Sequence, residues 1–159
     1  MTDFPRLLRA LYEGEVRFIL VGGMAATAHG AARLTQDVDV VYERSRDNLK
    51  RLANALSPLS PYLRGAPVGL PFIWDERTLA AGLNFTLVTA AGDIDLLGEI
   101  VGGGGYENLL SHTIELALFG GSCLCLDLQT LIEVKRAAGR PKDFEAIAEL
   151  DAILAERDR

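Results

Sequence analysis

Two aspartates, Asp37 and Asp39, stand one residue apart in the apolar run "DVDVVYE". Alternate residues of a strand share a face, so both carboxylates would project together, about 6.6 Å apart at Cα, with their valine neighbours supplying the buried side. Two adjacent carboxylates without a cation repel each other and are costly to desolvate, which makes the pair a cation trap. Hard oxygen donors favour magnesium or manganese over zinc. The run "GDIDLL" repeats the spacing at Asp93 and Asp95. Asp95, flanked by Ile94 and Leu96, lies deeper in its apolar run than Asp93 and is the candidate third acid. Three acids on two neighbouring strands can hold two divalent ions about 3.5 to 4 Å apart, the arrangement used for in-line phosphoryl transfer. The competing reading makes these acids solvent-facing residues of an edge strand, and for a lone Asp-x-Asp it would prevail.

Gly22 and Gly23 shift the balance. They follow the apolar "RFILV" and precede an alanine-rich stretch. A glycine turn there can bring backbone N–H groups close to a phosphate at a helix N-terminus. The turn is no P-loop, because Gly-Lys-Ser/Thr is missing, and it does not read G-x-G-x-x-G. A dinucleotide-dependent oxidoreductase is further disfavoured because the acidic pair follows the turn too soon to be a ribose-binding acid. The four glycines 102 to 105 also lack a lysine and read as a flexible loop.

Secondary structure must carry these groups to one place. Phe4, Leu7, Leu8 and Leu11 predict a helix over residues 4 to 13, with Gly14 as its stop. "VRFILVGG" reads as a buried strand, "MAATAHGAA" as a helix closed by Gly30, and "DVDVVYE" as the next strand. "SRDNLKRLANALS" follows as a helix with a serine cap. "PLSPYLRGAPVGLPFIWDE" holds four of the six prolines and predicts irregular chain with short extended pieces. Two hairpins come next, one turning at "TAAGD" and one at Gly120 and Gly121. Two helices close the chain, "LQTLIEVKRAAG" and "KDFEAIAELDAILAERD". The order predicts one domain over residues 1–159, an α/β (α+β) fold with a mixed sheet flanked by helices.

Composition agrees with a folded protein: 159 residues, 49% hydrophobic and 24% charged. The net charge of -6 argues against a surface coated with phosphate-binding groups, yet four basic residues crowd into "KRAAGRPK". No apolar run approaches the roughly 20 residues that span a bilayer, and the N-terminus is charged where a signal peptide is apolar. The expectation is a cytoplasmic protein without a membrane segment. Cys123 and Cys125 would share one strand face as buried thiols, too few for zinc and not spaced as a CxxC redox pair.

Taken together, the glycine pair, the short helix, "DVD" and the later "DID" resemble the polymerase-beta-like nucleotidyltransferases. The nearest likeness is to small bacterial and archaeal members, including AbiEii-type toxins, carried by Gly22, Gly23, Ala25, His29, Gly30, Arg33, Thr35, Asp37 and Asp39. The C-terminal "EVKRAAGRPKDFEAIAEL" adds to it, whereas residues 42 to 90 match nothing in the family. The resemblance implies a nucleotidyltransferase-like core in which Gly22 and Gly23 hold a triphosphate and Asp37, Asp39 and Asp95 bind Mg2+ or Mn2+. It implies that Asp95 is the candidate base, and that Lys135 reaches the nucleotide phosphates. Arg33 and Thr35 would either contact phosphate or brace the loop before the aspartates. His29 reads better as a structural residue, and Arg140, Lys142 and Asp143 as an ion-pair cluster at a helix start. The implied activity is transfer of a nucleoside monophosphate from an NTP to a hydroxyl of RNA, protein or a small molecule, either alone or as a toxin with a cognate antitoxin. The alternative is a catalytically inactive domain that binds a nucleotide or a protein partner.

Overall fold

The computed structural model describes residues 1–158 and sorts the apolar runs into strands and helices by their period. Among the described residues the strands are β1 (Phe18–Val21), β2 (Asp37–Tyr42), β3 (Tyr62–Leu63), β4 (Phe85–Thr89), β5 (Gly92–Leu97), β6 (Thr113–Leu118) and β7 (Gly121–Leu126). They form one mixed sheet in the order β3, β4, β5, β2, β1, β7, β6. The helices are α1 (Phe4–Glu13), α2 (Gly22–Ala28), α3 (Arg46–Leu56), α4 (Glu76–Ala81), α5 (Tyr106–Leu109), α6 (Leu128–Ala138) and α7 (Phe144–Arg157).

The centre of the sheet is set by β2, antiparallel to β1 and parallel to β5. Val38, Val40, Ile94 and Leu96 are fully buried. They alternate with the aspartates along the two strands and so turn to the opposite face. A slip of one residue in either strand would drive its two carboxylates into that core, so the apolar set fixes the register.

Helix ends follow capping chemistry. The Asp3 carboxylate accepts from the Arg6 N–H at 3.1 Å, Ser45 Oγ from the Asn48 N–H at 3.3 Å, and the Asp127 carboxylate from the Thr130 N–H at 2.7 Å. Leu7, Leu8 and Leu11 bury the apolar stripe of α1, which packs across β2, β5 and β7 and beside α3. The buried Asn48 side chain ties α3 to the strands: it accepts from the Arg17 N–H at 2.7 Å and donates to Arg17 O at 3.0 Å and Glu43 O at 2.7 Å.

Two expectations need correction. The first concerns α2, which begins on the glycine pair and ends at Ala28; the chain then turns at His29, whose buried ring is bonded elsewhere, and at Gly30 with φ 110°. The second is the run of four glycines, which forms a tight turn. Ile100 N–H donates to Gly104 O at 2.9 Å, and Gly102 lies too close to Ala137 of α6 to admit a Cβ. The proline-rich segment is irregular with one short extended piece, β3, as expected, and leads into α4, capped by the Asp75 carboxylate on the Thr78 N–H at 2.8 Å. Both hairpins and both C-terminal helices form as predicted. Cys123 and Cys125 are free and buried, and burial pushes the Cys125 thiol up to about 12.

Candidate active site

In the parallel pair β2 and β5, Asp37 lies opposite Asp93 and Asp39 opposite Asp95. All four side chains leave one face of the sheet. One oxygen from each of Asp37, Asp39 and Asp95 lies within 4.8 Å of the other two. Asp39 sits deepest, and its buried Oδ1 has no hydrogen-bond partner. Burial first, then the charges of Asp37 and Asp95, push the Asp39 carboxyl up to about 8. Asp37 is raised as well, again by burial first, with Asp95 adding to the rise and Arg64 opposing it. An orphaned buried oxygen among three converging carboxyls fits a hard cation, which would satisfy that oxygen and restore ionisation.

The glycine pair has steric reasons of its own. Gly22 takes φ 68°, and a Cβ on it would fall on the Asp39 carboxylate. A Cβ on Gly23 would fall on the Thr35 side chain, whose hydroxyl donates to Asp37 O at 3.1 Å. The two glycines therefore let Asp39 and the loop before it lie against the start of α2. Gly22, Asp39 and Asp95 open onto a cleft of about 310 Å³, bounded on its far side by Leu131, Lys135 and Arg140. Lys135 thus faces the acids across the cleft, while its Nζ pairs with Asp143 Oδ1 at 3.8 Å and Arg140 Nε with Asp143 Oδ2 at 2.7 Å. A larger groove of about 740 Å³ between α1 and α3 holds neither the acids nor the glycine turn. Size does not identify the site here; the carboxylates do.

Two residues of the motif lie outside the acid cluster. Arg33 turns to α7, with Nη2 3.0 Å from Glu145 Oε2 and Nε 3.7 Å from Glu149 Oε1. His29 is a bolt: its Nε2 lies 2.7 Å from Leu126 O and its Nδ1 3.1 Å from Arg157 Nη1. A carbonyl only accepts and a guanidinium only donates, so the proton sits on Nε2.

Sequence reasoning missed Arg64. It follows the edge strand β3 and continues its pairing, the Arg64 N–H donating to Thr86 O of β4 at 2.9 Å. From that edge the guanidinium reaches over the acids: Nη2 is 2.8 Å from Asp95 Oδ1, Nε 3.4 Å from Asp93 Oδ2 and Nη1 3.8 Å from Asp37 Oδ2. Its aligned side-chain hydrogen bond goes to Leu87 O at 2.7 Å, while Nε and Asp95 Oδ1 lack an aligned partner. A demand for counter-charge was legible in four clustered acids. Which arginine answers it depends on a two-residue strand that no periodicity announces.

No protein-family model matches the chain, and no curated protein sequence does. Its fold does match solved structures. The lincosamide antibiotic adenylyltransferase LnuA, bound to lincomycin, superposes with a TM-score of 0.62 over 95% of this chain and 96% of that one, at 14% identity. TM1012 of Thermotoga maritima, assigned as a nucleotidyltransferase, gives 0.59 over 93% of each chain, also at 14% identity. The chain therefore has the mixed-sheet fold of nucleotidyltransferases. Among the described residues no helix is long and apolar enough to cross a membrane.

Proposed function

We propose that the chain is a metal-dependent nucleotidyltransferase, moving a nucleoside monophosphate from an NTP to a hydroxyl and releasing pyrophosphate. One observation carries the reading: Asp37, Asp39 and Asp95 converge within 4.8 Å around a buried oxygen that nothing in the protein satisfies. Those three carboxylates would hold magnesium or manganese, which supplies charge neutralisation at the transferred phosphoryl group and acidifies the attacking hydroxyl.

The remaining roles belong to the chain. Asp95 takes the proton of the acceptor hydroxyl as its oxygen bonds to the α-phosphorus; the bond to the β-phosphate oxygen breaks, and its electron pair leaves with pyrophosphate. Gly22 and Gly23 offer backbone N–H groups to the triphosphate, and Lys135 offers its ammonium from across the cleft. Thr35 holds the loop at the glycine pair, and Arg33 braces the same loop on α7. Catalysis of this kind is mostly positioning and charge balance.

The lincomycin-bound neighbour makes a small molecule one acceptor class. RNA or protein is the acceptor that an AbiEii-like toxin with a cognate antitoxin would use. Incubation with α-labelled NTPs, magnesium and a cell extract should label an acceptor. Equal labelling by an Asp37→Ala, Asp39→Ala variant would sink the proposal. The guanidinium among the acids favours a second reading, a nucleotide-binding domain without turnover. Thermal stabilisation by NTP plus magnesium with no labelling would select it.

A further inference from the structure

We propose that Arg64 is a resident counter-cation of the carboxylate cluster which an incoming divalent ion must displace. The inference rests on the reading of Asp37, Asp39 and Asp95 as metal ligands. Four carboxylates share one patch of sheet. Among the described residues, the cation within ion-pair reach of Asp37, Asp93 and Asp95 is Arg64. The basic groups that line the cleft, Lys135 and Arg140, are both paired with Asp143. Asp37 and Asp95 thus belong both to the converging ligand set and to the guanidinium. Two cations a few ångströms apart repel even at a partly exposed site, so the ion and the guanidinium compete for the same carboxylates.

The contacts show how the exchange is arranged. An arginine built in as a permanent strut would grip a carboxylate through a bidentate fork. Here the acids hold Arg64 by charge at poor angles, and its aligned hydrogen bond goes to Leu87 O, outside the acid cluster. Asp93 stands outside the converging three as well. Because the same Nη2 meets Asp95 Oδ1 and Leu87 O, the exchange needs Asp95 to turn toward the ion while the guanidinium keeps Leu87 O and Asp93. Until the ion arrives, one positive charge moderates the repulsion among the acids. The cost is a weakened affinity for free metal, which favours an ion delivered with the charge of a triphosphate.

Mn2+ titration of the full chain without nucleotide, read by the electron paramagnetic resonance of free Mn2+, tests this in wild type, Arg64→Gln and Arg64→Lys. Arg64→Gln should bind Mn2+ roughly tenfold tighter or more, the size of one charge-assisted contact that the ion no longer has to break. Arg64→Lys keeps the charge and should stay near wild type. Without metal Arg64→Gln should melt below wild type, and it should gain more from Mn2+. Equal or weaker Mn2+ binding by a folded Arg64→Gln, as judged by circular dichroism, overturns the displacement and leaves the ligand assignment standing. No saturable Mn2+ binding by either protein overturns the ligand assignment, and the displacement with it.

Discussion

Asp39 governs how the protein responds to pH. An unfolded aspartate gives up its proton near pH 3.9, whereas Asp39 in the fold holds its proton up to about 8. Between those values the native state binds more protons than the unfolded state, so the metal-free protein loses stability as pH rises from about 4 to 8. Denaturant midpoints measured in chelator should fall between pH 5 and pH 8. Asp39→Asn should flatten most of that fall, and Mg2+ or Mn2+ at pH 8 should reverse it, because the ion takes the place of the proton. A profile that rises over the same window would show that the carboxyl is ionised in the fold. The acid pair and its partner strand were legible because the Asp-x-Asp stands after a glycine turn and its spacing recurs in the later run at Asp93 and Asp95. Arg64 was not, because a guanidinium reaches its partners through long-range pairing that a local pattern does not encode.

Elements were readable where period and capping agreed. The stripe of α1, the Ser45 cap of α3 and the glycine-centred hairpins all state themselves in adjacent residues. The proline-rich segment, with β3 inside it and α4 at its end, carried no period long enough to read. α2 began two residues early because Gly22 and Gly23 are shaped by Asp39 and Thr35, which are distant in sequence. Asn48 is the element-level counterpart: a polar residue inside a helix, fully buried, that looks like an error in the apolar stripe until its three backbone partners are seen. Asn48→Ala strands an N–H and two carbonyls and should cost about 2–3 kcal/mol of stability by urea unfolding. Asn48→Asp keeps the acceptor for Arg17 N–H but loses both donors, so it should recover little. Near-wild-type stability in both variants would mean that water replaces the amide.

One continuous sheet ties the hairpins, the central strands and the edge strand together. The chain should therefore unfold in a single transition. Trp74 reports on this conveniently, since its indole N–H donates to Ala53 O of α3 at 2.9 Å and joins the proline-rich segment to the body of the protein. Tryptophan fluorescence and far-ultraviolet circular dichroism should give coincident urea curves; separated midpoints would mark that segment as an independent unit. Helix α7 has a consequence for the site. Arg157 binds both the ring and the carbonyl of His29, 128 residues earlier, while Glu145 and Glu149 hold Arg33 and the Ala32 N–H. The loop between the glycine turn and the aspartates is thus clamped from a helix more than a hundred residues later in the sequence. Damage to α7 therefore loosens the loop that carries the glycine turn to the aspartates without touching any of those residues.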